Sequence, residues 1–510
     1  MRLASDSLAG IAILAALLLA ATALQWSQFR APLLEGAAGK QTHMAMVARN
    51  FADAPGTFLH PRVDDVGTPG YFVKELPVIP WIVGLTSDDS TAGTAAGGRR
   101  AGWLGWLAAA LLVARLARRA HMPSGAPLAV AWMLFAPLAL AYGPAFQNDQ
   151  WAVAASLAAL LAMLRWRAQP DTKRALACIP WLAMALLLKP HTAFWLAPAA
   201  LVVLAGGRKA ARPEGRAITT MLACGLAAGT LALPWYLHAL AVHREFPIAG
   251  ASVTDGWVNL RLLLEPYFWA ELARQVGWMV LTPVGAVLAG LGWFAGRKER
   301  SVVDASLVAW TGGVILQDVL LATRIFDTLS RGTEYYQMPL LVPAAIFIAR
   351  GTVLIASRLQ DAPAWSRAAA LGTLALALLV PAFSIARDAR QAPARYGDLL
   401  ADCDRVRRAS DPGGSFVVLG DRGGTVLYYC ERRGLTYKLA GARTSEVDVG
   451  SSPPVDQDRF NEVLAAADYV YFPYPELVTD RSLLTHFETW WDRVPTGDSS
   501  VLLFRNRYRQ

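Results

Sequence analysis

Residues 35–85 read EGAAGKQTHMAMVARNFADAPGTFLHPRVDDVGTPGYFVKELPVIPWIVGL, and they come soon after an apolar run, SLAGIAILAALLLAATAL, at residues 7–24. The apolar run is long enough to cross a bilayer. Packed helices are usually joined by only about 2–8 residues. A loop this long, with acids, bases, several prolines and amphipathic segments, is a folded cap at the membrane surface rather than a connection.

The rest of the chain sets that loop in a membrane protein. Of 510 residues 55% are hydrophobic and 17% charged, against about 25% charged in soluble domains; the mean hydropathy is +0.33. Apolar runs at residues 7–24, 102–116, 128–142, 151–164, 176–188, 193–204, 218–240, 276–294, 302–321, 339–348 and 368–385 predict about eleven spans. The first is read as a retained membrane helix, since the AATALQ that ends it is a weak cleavage site.

The net charge of +9 comes largely from short clusters between these runs: Arg115, Arg118 and Arg119; Arg165, Arg167, Lys173 and Arg174; Arg208, Lys209, Arg212 and Arg216; Arg297, Lys298 and Arg300; Arg358 and Arg367. They fall in alternate loops, the positive-inside pattern, and not on a nucleic-acid surface. The N-terminus is then cytoplasmic. The loop 25–100, the segments 143–150, 189–192, 243–274 and 323–337, and the C-terminus lie outside. The expected fold is an all-α polytopic bundle over residues 1–386, followed at 387–510 by a small α/β domain. In that tail SFVVLG, TVLYYC, YVYFPY and SVLLFRN read as strands, and YGDLLADCDRVRRA and DQDRFNEVLAAA as helices. If the tail is extracytoplasmic, Cys403 and Cys430 have the compartment for a disulfide; spacing alone leaves the pairing open.

The polar residues of the outer segments are the candidates for chemistry. Residues 40–53 predict a helix with Met44, Val47, Ala48 and Phe51 on one stripe and Lys40, His43 and Asn50 on another face; that face is either a solvated surface or part of a site. Asp64, Asp65, Lys74 and Glu75 follow. Glu75 opens LPVIPW, a proline-broken membrane-surface helix. It is either a general base whose pKa desolvation raises or an acid favoured by the helix dipole. Asp149 lies at an outer mouth, where an acid is costly unless solvated or functional. Lys189 and His191 end an outer helix against the positive-inside bias; they bind an anionic phosphate, or Lys189 snorkels. Glu334, Tyr335, Tyr336 and Gln337 form either a binding wall or an interfacial aromatic belt.

The acidic triplets Asp402–Asp404 and Asp456–Asp458 and the GDRGG at Asp421 are set aside as chance matches and a turn. No Walker sequence and no GxGxxG after a strand is present, which disfavours ATP-driven transport. Neither a metal nor another cofactor is expected.

Taken in order, GKQTHMAMVARNF, FLHPRVD, PGY, KELPVIPW, QND, LLKPH and EYYQMPLLVPA resemble the signatures of the GT-C glycosyltransferases, with aminoarabinose lipid A transferases and protein O-mannosyltransferases as the nearest kin. The resemblance covers about residues 7–385. It implies a bacterial inner-membrane enzyme that takes a sugar from a polyprenyl-phosphate donor to a glycan, lipid or protein acceptor on the periplasmic face. Many relatives carry an Asp in the first-loop helix where this chain has His43. His43 or Glu75 is then the base, or catalysis here is lost or altered; Asp149 orients an acceptor or a first-loop partner, and Lys40, Lys74, Lys189 and His191 bind the donor phosphate. Asp64 and residues 334–337 contact substrate. The competing reading is a lipid-linked sugar translocase or assembly subunit on the same fold. A translocase would tend to show internal repeats and mid-membrane charges, neither of which the sequence displays.

Overall fold

The computed structural model describes residues 2–88, 90–205, 215–246, 258–295, 301–322, 333–393, 396–420, 424–437, 457–475 and 481–509. The basic clusters at 208–212 and 297–300, Arg331, the GDRGG turn at Asp421 and the triplet residue Asp456 lie outside the described residues. The chain divides into two compact units. The first comprises Met1–Arg30, Arg99–His238 and Gly256–Arg390; the second comprises Ala31–Gly98, Ala239–Asp255 and Gln391–Gln510.

The first unit is helical. Among the described residues seven helices are long and apolar enough to cross a membrane: Leu8–Gln25, Thr91–Arg119, Asp149–Ala168, Gly215–Glu245, Val302–Leu320, Glu334–Arg358 and Ala364–Ala389. The pair Pro266–Leu281 and Pro283–Ala295, bent by 82°, makes eight if counted as one span. Among the described residues the expected eleven are thus not all seen as full-length spans. All eleven runs fall largely in helix, but three of them are too short. Residues 128–142 break at Ala136, before Pro137, into Ala126–Phe135 and Pro137–Tyr142. Residues 176–188 begin at the end of the short helix Thr172–Leu176 and continue as Ile179–Leu188, which stops before Lys189-Pro190, and 193–204 lie in the helix Thr192–Ala205. Proline lacks the donor and crowds the preceding turn, so each break falls where the sequence places one.

Close approach of small residues packs these helices. A methyl group added at Gly292 would stand 2.0 Å from the Phe347 carbonyl oxygen, and one at Gly313 would stand 2.2 Å from that of Phe194. Apolar side chains gain little by leaving lipid for protein, so contact of this kind holds spanning helices together. Tryptophans repair the breaks. Trp132 donates to the Val280 carbonyl at 3.1 Å, just before the bend, and Trp310 to that of Pro339 at 3.0 Å.

The second unit is α/β. Strands β1 (Ser415–Leu419), β2 (Arg433–Tyr437), β3 (Tyr469–Phe472), β4 (Trp491–Arg493) and β5 (Leu502–Asn506) form one sheet in the order β2-β1-β3-β5-β4. β1 runs parallel to β2 and β3, and β5 antiparallel to β3 and β4. Val417, Val470, Phe472, Phe487 and Phe504 form its core. One expected strand is a helix: TVLYYC is helical over Thr425–Cys430, and all six residues are buried. A short, wholly buried apolar run has no periodicity to distinguish the two states. Cys430 is joined to Cys403 on the helix Leu399–Ala409 by a disulfide.

The long loop after the first helix belongs to this second unit. Val66 makes an antiparallel bridge to Leu435 of β2. The Gly434 N–H donates to the Asp64 carbonyl at 2.8 Å, and the Gly67 N–H to the Gly434 carbonyl at 2.9 Å. The loop thereby covers the edge strand of the sheet, which would otherwise offer unpaired backbone groups.

Candidate functional site

Two polar clusters stand out, one in each unit. That of the second unit is built on the helix Ala38–Asp53, close to the expected 40–53. Val47, Ala48 and Phe51 of the apolar stripe are buried, and the short helix Val78–Thr86 packs against it closely enough that a methyl group at Gly84 would stand 2.3 Å from the Ala48 carbonyl. The polar face is not a uniformly solvated one. The His43 imidazole Nε2 lies 2.7 Å from Asp65 Oδ2, and the ring rests against Phe72 with centroids 4.8 Å apart. Asp64 turns the other way: Arg49 donates to its Oδ2 at 2.7 Å, Asn50 to its Oδ1 at 3.3 Å, and Arg433 of β2 stands 3.2 Å from the same Oδ1. Asp64 and Asp65 both lie in a bend, and the two carboxyls serve different partners.

Asp65 is only 6% exposed. Its second oxygen, Oδ1, is buried without a hydrogen-bond partner. Gly424 explains part of that enclosure: at φ 70°, a methyl group there would come within 2.5 Å of the Asp65 carboxyl, so the site needs glycine on both counts. Burial pushes the Tyr428 hydroxyl up from its ordinary value, while the nearby Arg49 guanidinium, 5.1 Å from the ring centroid, pulls the other way. Lys74 is exposed, its ammonium 4.2 Å from the Phe72 ring centroid. Glu75 is half-buried, and among the described residues it forms no ion pair or side-chain hydrogen bond. Lys40 is half-buried in the first turn of its helix.

The cluster of the first unit sits at helix ends. Asp149 opens the helix Asp149–Ala168, and Lys189 follows the last turn of Ile179–Leu188. The two form a buried ion pair, each only 4% exposed. The Lys189 ammonium also lies 5.2 Å and 4.7 Å from the ring centroids of Tyr335 and Tyr336, which are stacked on each other. A cation over aromatic faces in a dry site gains about 2 kcal/mol. The His191 ring lies 6.3 Å from that of Tyr336. Glu334 accepts from the Tyr142 hydroxyl at 2.6 Å, and Gln337 donates to Asp318 at 3.2 Å. The structure thus gathers Asp149, Lys189, His191, Glu334, Tyr335, Tyr336 and Gln337 in one place.

Several members escaped the sequence. Tyr142, Arg274 and Asp318 lie in or beside apolar runs, and Arg274, ion-paired with Glu271, lies within reach of the Glu334 charge. A lone polar residue at the end of an apolar run is a signal, and Asp318 carries it. Arg49, Arg433 and Gly424 become meaningful only through contacts between distant segments. Of the acidic triplets, Asp402 and Asp404 each pair with an arginine three residues on, Arg405 and Arg407, as on a solvated helix face. Among the described residues no group of three or more His, Cys, Asp or Glu could hold a metal ion.

Comparison with known proteins agrees with this architecture. A family model described as dolichyl-phosphate-mannose-protein mannosyltransferase matches residues 74–237. Among solved structures the chain resembles ArnT from Cupriavidus metallidurans bound to undecaprenyl phosphate, at 14% identity over 97% of this chain and 98% of that one, with a TM-score of 0.65. It also resembles the oligosaccharyltransferase of Archaeoglobus fulgidus, at 14% identity over 91% and 69%, TM-score 0.54. The arabinofuranosyltransferase AftD from mycobacteria is similar at 15% identity over 90% and 36%, TM-score 0.50. A search of curated sequences finds no match. The fold is that of the GT-C glycosyltransferases, multi-pass proteins of the membrane.

Proposed function

We propose that the protein is a membrane glycosyltransferase that moves a sugar from a polyprenyl-phosphate donor to a hydroxyl-bearing acceptor on the outer face of the bacterial inner membrane. The observation that carries this reading is the His43–Asp65 pair: an imidazole held at 2.7 Å by a buried carboxylate is an oriented general base. The undecaprenyl phosphate of the similar ArnT structure supports a lipid phosphate as the leaving group, and the disulfide Cys403–Cys430 supports an oxidising compartment for the second unit.

In the reaction, His43 takes the acceptor hydroxyl proton as that oxygen bonds to the anomeric carbon. The bond from that carbon to the phosphate oxygen breaks, its electron pair leaves with the lipid phosphate, and the sugar inverts. Asp65 fixes the imidazole tautomer and stabilises the imidazolium; it is a positioning residue. Lys189 and His191, with Lys74 and Lys40, neutralise the departing phosphate, and Asp149 holds Lys189 until substrate arrives. Glu334, Tyr335, Tyr336 and Gln337 contact the sugar or the acceptor. Asp64, bound to three partners, anchors the loop. Glu75 is the competing base.

The test is transfer from a pool of polyprenyl-phosphate sugars in membranes lacking the native protein. His43→Ala should lower kcat by about 100-fold or more, as expected for loss of a general base. Asp65→Asn should lower kcat less and move the pH profile, while Glu75→Gln stays near wild type. Loss in Glu75→Gln with activity intact in His43→Ala assigns the base to Glu75. Binding of donor with no transfer by wild type overturns the enzyme reading.

A further inference from the structure

Away from the clusters described above, the first unit holds a cavity of about 520 Å³ lined by Arg119, Arg165, Gln169, Arg174 and Trp181, with small alanines between them. Arg119 ends the helix Thr91–Arg119, Arg165 lies in the last turn of Asp149–Ala168, and Arg174 belongs to the short helix Thr172–Leu176. Arg119 and Arg165 stand close enough to repel each other. Arg119 also donates to the Leu164 carbonyl at 3.2 Å, which fixes it in place. Among the described residues the acid here is Asp171, and it is already paired with Arg174. The cavity thus carries uncompensated positive charge, at helix ends that the positive-inside pattern assigns to the cytoplasmic surface.

We propose that this cavity binds the phosphodiester headgroup of an anionic phospholipid of the cytoplasmic leaflet. Guanidinium groups present paired donors whose spacing matches two phosphate oxygens, and a phosphate between Arg119 and Arg165 turns their repulsion into two attractions. Trp181 is 48% exposed at the start of the helix Ile179–Leu188. That suits an indole at headgroup depth, with its ring toward the chains and its N–H toward water. Ala162 and Ala177 leave room for the glycerol. On the same helix, Ile179 borders an apolar groove of about 500 Å³ lined also by Ala223, Leu226 and Leu231, which offers a course for an acyl chain. Basic pockets between spanning helices on this side of a membrane take such headgroups. The site rests on the orientation of the spans and not on the transfer reaction.

The experiment is native mass spectrometry of the full chain after equilibration with vesicles of phosphatidylcholine with and without phosphatidylglycerol. Wild type is expected to retain phosphatidylglycerol over phosphatidylcholine. Arg165→Gln should lose about five-fold in retention and the Arg119→Ala/Arg165→Ala pair about thirty-fold, at about 1 kcal/mol for each arginine. Arg115→Ala, on the same helix end but outside the cavity lining, should retain it. Arg165→Gln alters an exposed side chain and keeps the test open if the double variant fails to fold. Equal retention by wild type and Arg165→Gln overturns the site. Binding of inorganic phosphate with no preference for phosphatidylglycerol over phosphatidylcholine assigns the cavity to a free anion and overturns the lipid. Polyprenyl-phosphate binding, measured alongside, should be unchanged in Arg165→Gln, so failure here is separable from failure of the transferase reading.

Discussion

The Lys189–Asp149 pair and the Asp64 network both hold a buried carboxylate against a cation, yet they are made in opposite ways. In the first unit both partners are buried, with side chains 5% and 6% exposed, and they stand 40 residues apart on neighbouring helix ends. In the second unit Asp64 is 2% exposed by its side chain while its partner Arg433 is 72% exposed, and Arg433 reaches Asn50 across 383 residues of sequence. The membrane unit buries charge by local geometry and depends on each partner. The α/β unit spreads one carboxylate over several donors, so that any one of them is dispensable.

The largest effect should come from the first pair. Removing one partner of a buried ion pair costs about 3–5 kcal/mol, so Lys189→Ala should sharply lower the yield of folded protein and its melting temperature in detergent. Arg433→Ala should cost roughly 1 kcal/mol or less. Equal losses would break the comparison. Second in size is the disulfide: Cys403→Ser with Cys430→Ser should cost about 3 kcal/mol, read as a lower melting temperature for the second unit. Third is Gly424→Ala, which meets a left-handed backbone and the Asp65 carboxyl together. The backbone alone costs about 1 kcal/mol, and limited proteolysis of the first loop should quicken, whereas Gly372→Ala, with open space around it, should not.

The smallest effect is a pH dependence. Burial pushes the Asp468 carboxyl up, but the Ser415 backbone N–H and hydroxyl, both 2.8 Å away, hold it below the usual carboxylate range. A depressed folded-state pKa gives stability that is present above the unfolded value, near pH 4, and lost as the pH falls through the folded one. Asp468→Asn should therefore flatten the acid limb of the melting curve by lowering the melting temperature slightly at neutral pH while leaving the acid end nearly unchanged.

Legibility followed the same division. The apolar runs marked the long helices of the first unit among the described residues, because lipid demands long apolar segments; the runs broken by proline give helices shorter than the others. Asp149, Lys189, His191 and residues 334–337 were legible because charge and amide groups at the ends of apolar runs are costly without a role. In the second unit the helix Ala38–Asp53 was readable from its stripe, but the Asp65 partnership was not, since it is made between segments 22 residues apart and enclosed by Gly424, far along the chain. TVLYYC misled because complete burial erases the pattern on which a strand or a helix is recognised.

The second unit is assembled from segments near residues 31–98, 239–255 and 391–510. The loop that carries His43 therefore leaves the ribosome hundreds of residues before β2, the strand it pairs with. Loop closure over such a separation is slow, so the cap must wait with one edge unpaired while helix after helix is inserted. A chain released before Arg433 would have every span needed to lodge in the bilayer and a cap with no strand to close on. Such a product is open to proteases, which makes completion of β2 a checkpoint on the loop made hundreds of residues earlier.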